Sequence, residues 1–334
     1  MKKLGWFGIA LATTVMVTAA ACEKKKKPAP AKAAGPTGTG AGAAARNAPA
    51  PAGSGSGAAA GAIELTLLEA GAEPRQRLEY QLAPGAKQSF ELRMKMNMGM
   101  EMSGTKMPIP DIPAFIMVMD LEVSAVSPGG EATWSAKINK AEMEPGGDPS
   151  MARAMGSSLD SLKGMSYRGK LARNGRMSGL EIDLPASLPP QLTQMVDSMK
   201  QQMQQMTMPF PDEAVGIGAR WKVSQKVALT GFAIDSNIEN KLVAREGSRA
   251  VIEVTMSQSA PAQKMKLPGM PVDADLTHLS GKGGGKMTYG LARAPWPEDV
   301  EMNLDMDMGM AVDQNGQHQE LGMTIGMNMT GKLR

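Results

Sequence analysis

The only histidines, His278 and His318, and the only cysteine, Cys22, stand far apart in a chain of 334 residues that carries thirty-one methionines. Nucleophilic catalysis finds no foothold in this set. Both histidines read as surface loop residues, and no Gly-x-Ser-x-Gly elbow is present for either to serve. The cluster Gly281 to Lys286 resembles a phosphate loop only superficially. Lys286 occupies the place of the final glycine and Met287 follows it, so the segment reads as a flexible loop. The thioethers are the chemistry that remains. Soft sulfur suits Cu(I), and Met-x-Met recurs many times. Yet the methionines are too numerous for three or four ligands, no histidine or cysteine joins them, and Leu121, Leu304 and Ile325 take equivalent positions. Neither an enzyme nor a resident cofactor is expected.

The methionine spacing carries more than their number. Met94, Met96, Met98, Met100 and Met102 alternate with Lys95, Asn97, Gly99 and Glu101. The alternation returns at Met302, Leu304, Met306, Met308 and Met310, and at Met323, Ile325, Met327 and Met329. Successive strand side chains point to opposite faces, so each run makes a ribbon with a thioether face and a polar face. Asp305 and Asp307 belong to the wet side. A rigid core favours branched residues, whereas methionine adapts to irregular neighbours. A wall of thioethers therefore suits an apolar ligand. The residues expected to line such a site are Met96, Met98, Met100, Met306, Met308 and Met327 on strands, with Met199 and Met203 on a helix.

The elements that must position them are mostly strands. Phe115 to Val123 alternates, Ser127-Pro128-Gly129-Gly130 turns, and Ala132 to Met143 follows. Tyr167 to Ala172 and Met177 to Leu184 flank the hairpin signal Asn174-Gly175. Leu242 to Ala244 and Ala250 to Met256 flank Gly247, and Met302 to Val312 and Leu321 to Leu333 flank Asn315-Gly316. Two amphipathic helices are predicted. One starts at Asp148-Pro149 and carries Met151, Met155, Leu159 and Leu162. The other carries Leu188, Leu192, Met195, Met199, Met203 and Met206, between Pro189-Pro190 and Pro209. The expected fold is mainly β: a large curved antiparallel sheet, a half-barrel, with both helices on its concave face. A duplication is suggested by three matches. Pro84-Gly85-Ala86-Lys87 matches Ile217-Gly218-Ala219-Arg220 before Trp221, and Lys170 to Ile182 matches the hairpin at Asn315-Gly316. The loops Met107 to Pro113 and Met265 to Pro271 form the third pair, candidates for a rim or lid.

The beginning of the chain bears on location. Lys2 and Lys3, an apolar stretch from Leu4 to about Thr18, and Ala19-Ala20-Ala21 make a signal segment over 1–21. Cys22 directly after it resembles the lipobox of bacterial lipoproteins, with Ala19 where that family prefers leucine. The resemblance implies lipidation of Cys22, and Glu23, where inner-membrane retention would show Asp, implies the outer membrane. Residues 22–62 are a run of four lysines followed by Ala, Pro, Gly and Ser, the composition of a disordered tether. Residues 63–334 form the β-rich domain. The formal charge of +3 includes Lys2, Lys3 and the tether lysines, leaving a nearly neutral domain with no basic stripe and no expected nucleic-acid partner.

The whole pattern of signal, sheet and covering helices resembles the LolA/LppX type of envelope lipid or lipoprotein carrier, at the level of architecture from Ile63 to Arg334. Val215-Gly216-Ile217-Gly218-Ala219-Arg220-Trp221 also resembles an element of bacterial lipoproteins of unknown function, in which glycines permit positive φ and a tryptophan anchors the strand. The resemblance implies a lipid-anchored, periplasm-facing protein with a membrane partner and an apolar ligand. Two alternatives stay open: a structural or protein-docking lipoprotein with a packed methionine core, and a Cu(I)-handling protein.

Overall fold

The computed structural model describes residues 63–146, 159–160, 162–183, 209–229, 232–266, 273–314 and 317–334. The signal segment, Cys22 and the tether lie outside them. The elements are β1 (Glu64–Glu69), β2 (Lys87–Met102), β3 (Thr105–Met107), β4 (Phe115–Val126), β5 (Ala132–Met143), β6 (Ser166–Leu171) and β7 (Met177–Asp183). There follow β8 (Arg220–Leu229), β9 (Phe232–Glu246), β10 (Arg249–Ala260), β11 (Gln263–Lys266), β12 (Asp273–Gly290), β13 (Asp299–Gln314) and β14 (Gln317–Leu333). All pair antiparallel in one open sheet of order β1-β8-β9-β10-β12-β13-β14-β2-β4-β5-β6-β7, with β3 on β2 and β11 on β12. Two meanders thus meet where the last strand, β14, pairs with β2.

The sheet is strongly curled. Tyr80 N–H donates to the carbonyl of Arg173 in the β6–β7 turn, and its neighbour Gln81 N–H donates to Leu291 in the β12–β13 turn, both at 2.8 Å. Consecutive residues are about 3.8 Å apart. In a flat sheet β13 and β6 would be separated by five spacings, about 24 Å. Only curvature brings the two turns onto adjacent residues.

The segment that joins them is a strap, residues 70–86, laid across the turn ends of the strands. Leu78, Tyr80 and Leu82 alternate inward and are buried, with Leu78 fully so. Arg245, at the end of β9, donates through its guanidinium to the carbonyls of Gln76 (3.1 Å) and Arg77 (3.0 Å). A second segment, residues 209–219, runs against the strap. Gln76 and Val215 exchange both backbone hydrogen bonds, and Ala72 N–H donates to Ile217. The approach is so close that a Cβ on Gly216 would stand 1.7 Å from the Ala72 carbonyl oxygen. Gly218 has φ +86°, so the two glycines of the Val-Gly-Ile-Gly element have different duties, and Trp221 after them is buried.

The entries to the two meanders are built alike. Gly85 N–H donates to Val123 and Val123 N–H to Ala86; Gly218 N–H donates to Leu242 and Leu242 N–H to Ala219, with the same distances of 2.7 and 2.9 Å. The sequence match between residues 84–87 and 217–220 is therefore a match of backbone geometry. The match of the two Asn-Gly hairpins is not. The β6–β7 turn lies at the strap end, as the β12–β13 turn does, whereas the strands of the β13–β14 hairpin run away from the strap to the opposite end.

Three further expectations change. Two helices on the concave face are not supported: the described residues include no helical element beyond one turn at Leu159–Asp160 and Leu162–Gly164, and residues 148–158, with Met151 and Met155, and 188–206 lie outside them. The Gly281 to Lys286 cluster is no loop but the middle of β12, and His278 stands on the same strand beside a register shift. Glycine composition misled here because it marks flexibility in a loop and close backbone approach in a sheet.

The strap predicts a sharp contrast in stability. Leu78→Ala should cost about 3 kcal/mol in urea unfolding, while Leu68→Ala, at a position 46 % exposed, should change it by less than about 0.5 kcal/mol.

Candidate functional site

The register of three neighbouring strands sets the methionines in rows. Across β13, β14 and β2 the aligned inward residues are Met302–Met329–Met94, Leu304–Met327–Met96, Met306–Ile325–Met98, Met308–Met323–Met100 and Met310–Leu321–Met102. Twelve of these fifteen positions are methionine; Leu304, Ile325 and Leu321 are the exceptions. Six of the eight expected ligand residues thus fall in three adjacent rows: Met96 beside Met327, Met98 in the row of Met306, and Met308 in that of Met100. Met306, Met308 and Met327 are buried, while Met96, Met98 and Met100 are half-buried. Met199 and Met203 lie outside the described residues. The carboxylates between the methionines point the other way, as alternation requires: Asp305 and Asp307 are exposed. Asp307 meets His278 at 2.6 Å on that outer face, both side chains more than half exposed, so His278 belongs to a surface pair worth little to stability.

The interior divides into two clusters of different construction. At the strap end, Trp134, Trp221, Phe90 and Leu242 of the sheet pack against Leu78, Tyr80, Phe210, Val215 and Leu291, which come from non-strand segments. Tyr80 stacks on Phe210 at 5.6 Å and Phe210 meets Tyr289 edge-on at 5.3 Å. Burial raises the phenols of Tyr80 and Tyr289 well above the ordinary range, and Tyr289 donates to the Met287 thioether at 3.2 Å. This end is filled. The cluster at the far end contains Ile234, Leu276, Leu279, Met306, Met308, Met310, Met323 and Ile325, with Met98, Met100 and Phe232 beside them. Every member belongs to a strand. Among the described residues no strap or loop side chain takes part in it, so the cluster is a wall built from strands.

The first proline-rich loop, the connection from β3 to β4 through Pro108 to Pro113, leaves the strand tips away from the strap; the second, at residues 267–272, lies outside the described residues. Lys95 pins the first loop through Asp111 (2.7 Å) and the Ile112 carbonyl (2.9 Å). Met102 and Met107 are among the few exposed large apolar residues, at 37 % and 42 %.

Beyond the methionine rows the same inward face continues over β12 to β8. Gly281, Gly283 and Gly285 of β12 face Met306, Leu304 and Met302. A Cβ on Gly285 would lie 1.8 Å from the Glu301 carbonyl, and one on Gly283 2.3 Å from that of Asn303, so β12 has no room for inward side chains there. On β8, β9 and β10 the inward series are Trp221-Val223-Gln225-Val227, Ile234-Ser236-Ile238-Asn240-Leu242 and Val254-Met256-Gln258-Ala260. Single polar residues interrupt otherwise apolar alternation. The alternation is present in the sequence, where it is weaker than that of the methionine runs. Among the described residues no group of three or more His, Cys, Asp or Glu side chains is placed to hold a metal ion; the donors on the inner face are thioethers and amides.

The model of a family of unknown function (DUF6263) matches residues 193–292, the stretch that holds β8 to β12. No curated protein and no solved structure matches the chain.

Exposure orders the methionines for oxidation, which turns an apolar side chain polar. Under limiting peroxide, peptide mass spectrometry should find sulfoxide, among the described methionines, first at Met102 and Met107 and last at Met306, Met310 and Met323. Early oxidation of the latter group would contradict the inward rows.

Proposed function

We propose that the protein is a lipid-anchored, non-catalytic envelope protein, held through Cys22 at the outer membrane and facing the periplasm, that binds an apolar ligand such as a lipid acyl chain against its methionine wall. The observation that carries this reading is the contrast between the two clusters. The strap end is packed by non-strand segments that also reach Met94, Met302, Met327 and Met329, whereas the far-end cluster holds six of the twelve aligned thioethers (Met98, Met100, Met306, Met308, Met310 and Met323) and, among the described residues, only strand side chains. Thioethers on flexible stems accommodate chains of differing shape at little cost. Tethering through 22–62 would keep such a site near the membrane that supplies its ligand.

A packed-core lipoprotein is the second reading, favoured by the low exposure of Met306, Met308, Met310 and Met323. Organic extraction of the protein purified from cells separates the two. The ligand reading expects lipid at roughly one equivalent or a fixed fraction of it by mass spectrometry, reduced when Met306 and Met308 are both replaced by Gln. Extracts free of lipid from a natively folded preparation would favour the packed core.

A further inference from the structure

The inward face is not uniformly apolar. One cross-strand row runs Gln225–Ser236–Gln258–Gly281–Met306–Ile325–Met98 from β8 to β2. Its first three members are polar side chains on adjacent strands, and Asn240 stands two rows nearer the strap, between Trp221 and Val254. Ser236 and Asn240 are 3 % and 1 % exposed. The Oε1 atoms of Gln225 and Gln258 and the Nδ2 of Asn240 are buried without a hydrogen-bond partner. Among the described residues the Gln258 amide nitrogen donates to the Met256 thioether, at 3.6 Å, a weak acceptor. A buried amide left unpaired costs about 1–3 kcal/mol, and three on one inner face are hard to reconcile with a finished core. Their neighbour is the strip of Gly281, Gly283 and Gly285, which leaves the floor beside them bare of side chains, and beyond that strip the thioether wall begins. No Lys, Arg, Asp or Glu occupies this row or the flanking ones through Val223–Ile238–Met256 and Trp221–Asn240–Val254.

We infer that this row of carboxamides and Ser236 is a headgroup subsite for an uncharged amphiphile, one whose polar part both donates and accepts hydrogen bonds, such as the hydroxyls and ester of an acylglycerol. The inference rests on the proposed ligand-binding function and adds its orientation. The acyl chain lies over β13, β14 and β2, and the polar part crosses the glycine strip to Gln225, Ser236 and Gln258. Amides and a hydroxyl satisfy such a group without the desolvation that a charged headgroup would require, and the free Oε1 atoms call for a ligand O–H. A fully apolar ligand would leave them unpaired.

The test is displacement of N-phenyl-1-naphthylamine from the delipidated full chain by two probes with one twelve-carbon acyl chain, 1-monododecanoylglycerol and methyl dodecanoate. The wild type should bind the glyceride about tenfold more tightly, the worth of one or two buried hydrogen bonds. In the variant with Gln225→Met and Gln258→Met, which nearly conserves volume, the preference should fall to within about twofold through loss of glyceride affinity alone. Ser236→Ala should reduce it by a smaller factor and serves where the double variant no longer binds the naphthylamine. Equal affinity of the wild type for both probes, or a preference that survives these substitutions, overturns the headgroup subsite and leaves the carrier reading standing. Failure of the wild type to bind the naphthylamine and both probes overturns the two together.

Discussion

The antiparallel register of β13, β14 and β2 is the constraint on which the structure depends. Because side chains alternate with a period of two, a slip of one residue in either pairing would send every methionine of that strand to the solvent face and bring Asp305, Asp307 and Lys95 inside. The pairing of Met302 with Met329 and of Met329 with Met94 fixes all five rows at once. It also joins the two meanders, since β14 ends the chain and β2 nearly begins the domain. The inner wall and the seam between the meanders are therefore one feature.

Around that seam the molecule is built with unequal ends. The strap and residues 209–219 tie the turns of both meanders together through backbone hydrogen bonds and Arg245, and they insert Leu78, Tyr80 and Phe210 among the tryptophans. That end has the aromatic, interlocked packing of an ordinary core. The other end has strands, methionines and the proline-rich connection from β3 to β4. Between them the glycines of β12 let neighbouring backbones approach too closely for side chains, and β8 to β10 present amides where the rest of the face is apolar. A filled end, a bare strip, a polar patch and a soft wall are the parts expected of a site for a long molecule with two chemistries along its length.

Much of this was legible in the sequence, for a physical reason. Strand periodicity is local, so the alternation of Met94 to Met102 and of Met302 to Met310 reported both the element and its inward face without knowledge of partners. Turn chemistry was local too, as Gly130, Gly175 and Gly247 show, each with positive φ. What was illegible depended on distant neighbours. The glycines at 281, 283 and 285 looked like a loop because the carbonyls of Asn303 and Glu301 that exclude a Cβ lie on another strand. Leu78 and Tyr80 gave no sign of a strap, since their partners are turns spread along the chain. Gln225, Ser236 and Gln258 gained meaning only once three strands stood side by side.

The central claim is that the thioether wall of the far end, not the filled core at the strap, receives the ligand. Methyl-13C labelling of methionine, with NMR of the protein loaded with a fatty acid bearing a paramagnetic group near its terminal carbon, tests it most directly. Methyl signals of Met98, Met306, Met308 and Met323 should broaden strongly while those of Met119 and Met165 stay sharp. Broadening confined to exposed Met102 and Met107, or spread evenly over all methionines, would contradict it.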